Sequence, residues 1–177
     1  MGVIGGLIGG LSPSKIARSF VRGCADITFG ALVVGISRGI LVVMQDGQII
    51  DTVINFLATL IKPLPGAVAA VGMFLVQSVI NFFIPSGSGQ AATTMPIMTP
   101  LADMIGITRQ TAVMAFHYGD GFSNSIIPTS ASLMGVLAMA KVPYEKWVKF
   151  IWPLMVIWTI IGAIMCFMAA TVKLGPF

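Results

Sequence analysis

Long apolar stretches alternate with short polar segments along the whole chain. The elements predicted from this pattern are an interface helix at 12–24, a transmembrane helix at 25–45, an interface helix at 48–61, a helical hairpin at 66–104, a broken transmembrane helix at 107–141, an interface helix at 143–149 and a transmembrane helix at 150–172. About 20 consecutive apolar residues are enough to cross the hydrocarbon core of a bilayer as a helix. The pattern therefore predicts an all-α integral membrane protein that forms a single membrane unit.

A short polar segment divides the predicted hairpin into two apolar arms. The sequence from 84 to 97 reads IPSGSGQAATTMPI, in which Pro85, Gly87 and Gly89 interrupt the helical pattern. Proline lacks an amide donor and glycine tolerates conformations that end a helix. Because lipid cannot satisfy free peptide groups, broken backbone at membrane depth has to line a cavity. The segment predicts a re-entrant hairpin with a binding tip, and the alternative is that its small residues only allow two helices to pack closely.

A second break is predicted inside the apolar stretch at 107–141. There the chain reads GDGFSNS from 119 to 125 and reaches Pro128 three residues later. Transporters bind substrates and coupling ions at discontinuous transmembrane helices, where helix ends and freed carbonyl groups face a cavity. The sequence therefore predicts a discontinuous helix that shares a site with the hairpin.

The composition agrees with a membrane protein. Hydrophobic residues make up 56% of the chain and charged residues only 9%, whereas soluble domains carry roughly 25% charged residues. The net charge is +4, and six of the ten basic residues lie in two clusters, Lys15 with Arg18 and Arg22, and Lys141 with Lys146 and Lys149. Basic clusters beside membrane helices mark the cytoplasmic side. We therefore expect the lipid bilayer, and no nucleic acid, as a partner, with both clusters cytoplasmic.

Neutral polar groups at the two breaks are the candidate substrate ligands. Backbone amides at the start of the second hairpin arm, together with the helix dipole, would stabilise a carboxylate. Hydroxyl and amide side chains add hydrogen bonds without a fixed charge. The predicted substrate-binding residues are Ser86, Gly87, Ser88, Gly89, Gln90, Thr93, Asn124 and Thr129.

The second break also supplies the candidate ion-coupling residues, which are Asp120, Ser123, Asn124 and Ser125. Side-chain oxygens near carbonyls freed by Pro128 suit a hard cation such as sodium. An ionisable residue inside a span is costly, so Asp120 is by default functional. It could bind a proton, couple an ion, meet a substrate amine or form a structural pair with Arg38. Arg38 itself could also extend to the interface or meet a substrate carboxylate.

The sequence offers little for catalysis or for a tightly bound metal. Cys24 and Cys166 have no CxxC spacing or histidine partners, which favours packing roles over a zinc site or a disulfide. His117 is a candidate proton relay, although a lone histidine is also typical of a packed core position. An enzyme would need Ser88 with His117, which lack a third orienting group. We therefore predict no enzyme and no cofactor beyond a sodium ion or proton as coupling ion.

The first eleven residues, MGVIGGLIGGL, are apolar and precede the first basic cluster. A signal peptide has its basic residues before the apolar run, and this segment is also too short to span a membrane. It is interpreted either as the frayed start of a membrane protein or, preferably, as the remainder of a longer helix. The second interpretation predicts that the chain is a fragment.

Several long segments resemble a known family. PSGSGQAATTMPIMTPLAD, GDGFSNSIIPTSASLMGVLAMAKVPYEKW, GGLSPSKIARSFVRG and ALVVGISRGILVVMQDGQIID are similar to the YfcC-like branch of the anaerobic dicarboxylate carrier family, within the ion transporter superfamily. The resemblance covers nearly the whole chain but only the C-terminal half of such carriers. One difference lies at Ser86 to Ser88, where sodium-coupled dicarboxylate relatives carry a Ser-Asn-Thr motif that contacts carboxylate and cation.

The resemblance implies two inverted repeats, of which this chain would be one. It further implies a multi-pass protein of the bacterial inner membrane that works as a homodimer, with an elevator-type movement of a transport domain. The expected partners are the N-terminal half of the transporter and a small-molecule substrate. The substrate would be a dicarboxylate, another small organic anion or an amino acid, and basic amino acid antiport is the alternative. The competing class is a channel, a non-transporting scaffold or an inactive fragment.

Overall fold

The computed structural model describes residues 2–175, apart from the side chains at positions 26, 27, 29, 30, 33, 34, 37, 38, 40, 41, 45, 50 and 51. Within that part of the chain every regular element is a helix, which confirms the all-α prediction. The helices are α1 (Gly2–Ile8), α2 (Pro13–Asp46), α3 (Ile49–Ile61), α4 (Gly66–Phe83), α5 (Gly87–Ile105), α6 (Arg109–Ser123), α7 (Ala131–Ala140) and α8 (Tyr144–Thr171).

Both predicted interface helices next to basic residues turn out to be the first turns of longer helices. The predicted boundary between 24 and 25 is absent because α2 continues without interruption from Pro13 to Asp46. The same holds for the predicted boundary between 149 and 150, since α8 runs from Tyr144 to Thr171. A change from charged to apolar side chains leaves the backbone hydrogen bonds intact, and one helical glycine such as Gly23 costs only about 1 kcal/mol.

The two predicted breaks are present, but both are shifted along the chain. The hairpin break is confined to residues 84–86, and α5 already begins at Gly87, because the Ser86 side chain caps it by accepting a hydrogen bond from the Gly89 amide at 3.4 Å. In the second case α6 continues through Gly119 and Gly121 to Ser123, and the break covers residues 124–130. Glycine is permitted within a helix, whereas Pro128 cannot donate the backbone hydrogen bond that would continue α6.

The apolar core lies where α4 packs against α6 and α8, with α3 and α5 closing it. Phe74 of α4 meets Phe122 of α6 edge to face at a ring distance of 6.3 Å, and Phe122 also stacks on Trp158 of α8 at 5.5 Å. Gly162 of α8 lies against this cluster. α7 packs mainly on α2, away from this core. The two breaks are therefore held by the tight α4–α6 contact.

Among the described residues, two helices are long and apolar enough to cross a membrane, namely α4 and α8. α8 has 28 residues and most of its apolar side chains are exposed, including Trp152 and Ile160. Large exposed apolar surfaces on a helix mark contact with lipid or with another protein. The predicted span at 25–45 lies within α2, which has 34 residues.

Candidate functional site

The hairpin break places the start of α5 beside the end of α4. Gln90 N–H donates to the Ser86 carbonyl at 2.7 Å, which closes the first turn of α5. The first amides of a helix have no acceptor within it, so the amides of Gly87 and Ser88 point out of this end. Ser88 is exposed, whereas Ser86, Gly87 and Gly89 are half-buried. The tip thus presents free donors and the positive end of the α5 dipole.

The second break is held by side chains as well as by backbone turns. Asn124 donates from Nδ2 to both the carbonyl oxygen and Oδ1 of Asp120, each at 2.9 Å. Ser123 donates to the Gly119 carbonyl one turn earlier. The end of α6 is therefore fixed by its own polar residues, and Asp120 is oriented by Asn124.

Two aromatic residues of α8 bind carbonyls of the same break. Trp147 Nε1 donates to the Ser125 carbonyl at 2.9 Å, and the Tyr144 hydroxyl donates to the Ile126 carbonyl. Tyrosine and tryptophan are also enriched at membrane interfaces. Their hydrogen bonds occupy two of the carbonyl groups that the break frees. A coupling cation at this break would have to rely on the remaining oxygen atoms.

The hairpin tip and the second break are in direct contact. A methyl group in place of the Gly87 hydrogen would lie 3.0 Å from Oδ2 of Asp120. Thr129, in the second break, donates to the Phe82 carbonyl at the end of α4 at 2.9 Å. The two breaks therefore meet at one candidate site, with the Asp120 carboxylate next to the first residue of α5.

A row of buried polar side chains runs beneath this site, and we refer to Gln77, Asn81, Gln90, Thr94 and Ser123 as the polar seam. Gln90 Nε2 donates to Oε1 and to the carbonyl of Gln77 at 2.7 and 2.8 Å, and Gln77 donates to Thr94 at 3.1 Å. Asn81 donates to Ser123 Oγ at 2.7 Å and to the Asp120 carbonyl at 3.2 Å. The seam joins the two hairpin arms to each other and α4 to the end of α6.

Two acceptor atoms of the polar seam are buried without a partner among the described residues. They are Oδ1 of Asn81 and Oε1 of Gln90, on side chains that are fully buried. A buried polar atom without a hydrogen bond is destabilising, so each is a place for a water molecule or a ligand donor. Both atoms are carbonyl-type oxygens, which accept hydrogen bonds or bind cations.

Sequence reasoning missed Gln77 and Asn81. The signal was available, because the two amides are four residues apart on a largely apolar helix and therefore lie on one face. Thr93, which was predicted, is half-buried and donates to the Gly89 carbonyl within α5 at 2.8 Å. Its hydroxyl is thus used inside its own helix.

Several residues weighed from the sequence lie away from the site. His117 and Cys24 are exposed, so neither occupies a packed position, while Cys166 is fully buried. The side chain of Arg38 lies outside the described residues, and so does its expected pair with Asp120. Among the described residues no group of three or more His, Cys, Asp and Glu could hold a metal ion.

The other charged contact on α5 lies at its far end. Arg109 binds Asp103 with three hydrogen bonds of 2.8 to 3.2 Å, and both side chains are largely exposed. The hydrogen bonds from Arg109 lower the pKa of the Asp103 carboxyl. Exposed pairs of this kind contribute little to stability. Asp103 therefore provides a carboxylate on the same hairpin that is remote from the tip.

Comparison with known proteins identifies relatives that match most of the chain. The model of the family described as DcuC, C4-dicarboxylate anaerobic carrier, matches residues 1–171. One relative is YfcC of Escherichia coli (strain K12), which is named as a proposed basic amino acid antiporter. It is 44% identical over 160 residues, which cover 84% of this chain and 32% of the relative. An uncharacterized protein of Haemophilus influenzae is 35% identical over 158 residues, covering 89% and 31%.

The chain spans about a third of the length of these curated relatives. The resemblance had led us to expect that it would correspond to half of such a carrier. No solved structure matches the chain. The similarity therefore shows the family, and the match extends over one part of each relative.

Proposed function

This chain belongs to the C4-dicarboxylate anaerobic carrier family, and on that premise we propose that it forms part of a secondary active transporter for small charged organic solutes. The family description and the name of the Escherichia coli relative both refer to transport. The contact between two helix breaks supports the same function, since transporters bind solutes at such breaks. Transport rather than catalysis is the conclusion that these observations favour.

Within that function we place the solute at the hairpin tip and the second break. The ligands are the substrate-binding and ion-coupling residues predicted from the sequence, with Asn81 and Gln90 supplying unpartnered oxygens from below. The hairpin enters and leaves the membrane from one side, and the chain crosses a bacterial cell membrane several times. It works with the remaining part of the transporter, as one of two inverted repeats in a homodimer that moves by an elevator mechanism.

One observation carries the choice of substrate, and it is the position of Asp120. Its carboxylate lies beside Gly87 at the start of α5, where the helix dipole would otherwise attract a substrate carboxylate. A second carboxylate at this point would be repelled by the first. A substrate amino or guanidinium group would instead be attracted by it. The tip therefore fits the cationic group of an amino acid better than it fits one end of a dicarboxylate, and the ion exchanged at Asp120 is a proton or sodium.

Dicarboxylate transport is the second candidate, because the matching family is described by that activity. In this case Asp120 would have to be protonated, or neutralised by a cation, before the substrate carboxylate binds. The two candidates make opposite demands on Asp120. They can therefore be distinguished by the same variant.

The test is ligand-dependent thermal unfolding of the chain in detergent, co-expressed with the remaining part of the transporter, in the presence of L-arginine or succinate and with sodium or potassium. A ligand at a hundred times its Kd stabilises a protein by about 2.7 kcal/mol. We expect stabilisation by L-arginine, and about 10- to 150-fold weaker affinity in Asp120→Asn, since hydrogen bonds to charged groups contribute about 1.5–3 kcal/mol.

Asp103→Asn is the matched control, because it removes an exposed carboxylate from the far end of the same hairpin. It should leave the L-arginine response unchanged. Stabilisation by succinate that is equal or stronger in Asp120→Asn would instead support the dicarboxylate carrier. Absence of any response to both ligands would contradict the proposed transport site.

A further inference from the structure

Two cavities of opposite character meet at the start of α2. The first is apolar, measures about 340 Å³ and lies between α1 and α2, where Val3, Gly6, Leu11, Ile16 and Phe20 line it. The second measures about 530 Å³ and has a polar lining. Ser19 lines both cavities, so they lie side by side.

The polar cavity is a basic groove formed by Lys15, Arg18 and Arg22. These residues follow one another at spacings of three and four, which places them on one face of the helix. All three are exposed, and among the described side chains neither Lys15 nor Arg18 is paired with a carboxylate. Like charges at this spacing repel each other. An anion with several oxygen atoms in the groove would relieve that repulsion.

The length of α2 places this groove at the level of lipid headgroups. A helix of 34 residues is about 51 Å long, whereas the hydrocarbon core of a bilayer is about 30 Å thick. If the apolar residues 25–45 occupy the core, the first turns of α2 extend into the headgroup region. The basic groove then lies among lipid phosphates, and the apolar cavity opens beside it.

We propose that this double cavity binds one anionic phospholipid, with the headgroup phosphate on Lys15, Arg18 and Arg22 and part of an acyl chain in the apolar cavity. An amphiphile is the ligand class that requires a basic and an apolar compartment side by side. A free phosphate or a soluble organic anion would use the basic groove alone. The site is separate from the hairpin tip, so it does not depend on which solute is transported.

The test measures binding of phosphatidylglycerol, phosphatidylcholine and inorganic phosphate to the purified chain by native mass spectrometry and by thermal stabilisation in detergent. We expect phosphatidylglycerol to remain bound and phosphatidylcholine to be lost. In the triple variant Lys15→Gln, Arg18→Gln, Arg22→Gln the affinity for phosphatidylglycerol should fall about a hundredfold, since each basic residue near an anionic surface changes the affinity roughly fivefold.

A charge-matched control tests whether the groove itself matters. The triple variant Lys141→Gln, Lys146→Gln, Lys149→Gln removes the same charge from the other basic cluster, which borders neither of these cavities. It should bind phosphatidylglycerol as the unchanged chain does. An equal loss in both triple variants would overturn the proposal, because binding would then depend on net charge alone.

The acyl chain is tested by filling the apolar cavity. Gly6→Leu adds a side chain toward Ile16, where a methyl group would already lie 3.0 Å from Cγ1, whereas Gly5→Leu adds the same side chain where no atom lies within 4 Å. Gly6→Leu should lose phosphatidylglycerol and Gly5→Leu should keep it. Leu11→Asn, which makes the cavity polar, provides a second variant if Gly6→Leu fails to fold. Unchanged lipid binding in a folded cavity variant, or equal binding of inorganic phosphate, would overturn the lipid assignment.

Discussion

At the scale of single residues, Asn81 is the side chain that connects the two helix breaks from below. It is fully buried and donates to Ser123 Oγ and to the Asp120 carbonyl. It therefore fixes the backbone of Asp120, the residue that we place at the centre of the site, in addition to the unpartnered Oδ1 that it offers to a ligand. Its influence on Asp120 is a matter of position, because both donated bonds fix the last turn of α6.

Replacing Asn81 by alanine tests this contribution. Asn81→Ala removes the donor to the buried Ser123 hydroxyl, which costs about 1–3 kcal/mol in the free energy of unfolding. The Asp120 carbonyl keeps the two donors of Asn124. Ser78→Ala is the control on the same helix, since the Ser78 hydroxyl donates only to the Phe74 carbonyl within α4, and it should change stability by less than about 0.5 kcal/mol. Equal effects in detergent unfolding would contradict the role of Asn81.

The residues of the candidate site were predictable to different degrees. Ser86 and Asp120 stand out in the sequence because a hydroxyl before a glycine-rich turn and a charge within an apolar stretch are rare signals. The spacing of Gln77 and Asn81 predicts that they share one face of the helix. It does not predict which neighbouring helix that face contacts, or whether the contact lies near the breaks. Only the packing of α4 on α6 shows that they meet Gln90 and Ser123.

At the scale of helices, the first turn of α8 supports the second break. The Trp147 and Tyr144 donors satisfy the carbonyls of Ser125 and Ile126, which lose their helical partners where α6 ends. Trp147 also lies against Phe150 at a ring distance of 5.8 Å. The start of α8 therefore replaces part of the hydrogen bonding that a continuous helix would have.

Trp147→Phe tests this support, because it removes the donor and keeps an aromatic ring. It should lower the free energy of unfolding by about 1–3 kcal/mol, the cost of a carbonyl left without its donor. Trp152→Phe makes the same change at an exposed position of α8 and should have little effect. Hydrogen exchange at 124–130 should become faster in Trp147→Phe alone. Identical unfolding curves for the two variants would show that the indole contact does not hold the break.

Helix boundaries were less predictable than the breaks themselves. Proline alone does not end a helix in this chain, since Pro96 and Pro100 lie inside α5 and Pro153 lies inside α8. The interruptions near Pro85 and Pro128 follow from the sequence because glycine, serine or asparagine residues accompany the proline there. The boundaries expected at 24–25 and 149–150 relied on polarity, which decides where a helix lies but not where it ends. α2 and α8 therefore continue through them.

At the scale of the whole molecule, the close contact of α4 with α6 sets where the hairpin tip meets the second break. Gly119 makes this contact possible. A methyl group at this position would lie 2.5 Å from Gln77 Cβ and 3.0 Å from the Phe74 carbonyl oxygen and the Ser78 amide nitrogen. Because two of these atoms belong to the backbone, the neighbouring helix cannot yield by a change of side-chain rotamer.

Gly119→Ala should therefore push α4 and α6 apart and separate Asp120 from Gly87. Overpacking of this kind costs about 1–3 kcal/mol or more, and it outweighs the gain of up to about 1 kcal/mol in helix propensity from glycine to alanine. Gly121→Ala is the matched control two residues later on α6, where no atom lies within 4 Å, and it should leave stability unchanged or raise it slightly.

Thermal unfolding gives the stability of both variants, and the distance between spin labels at the exposed positions Ser88 and His117 gives the separation of tip and helix. A destabilised Gly119→Ala with an unchanged distance would show that the contact stabilises the bundle without positioning the site. Lower stability together with a longer distance would show that this one glycine holds the two breaks together.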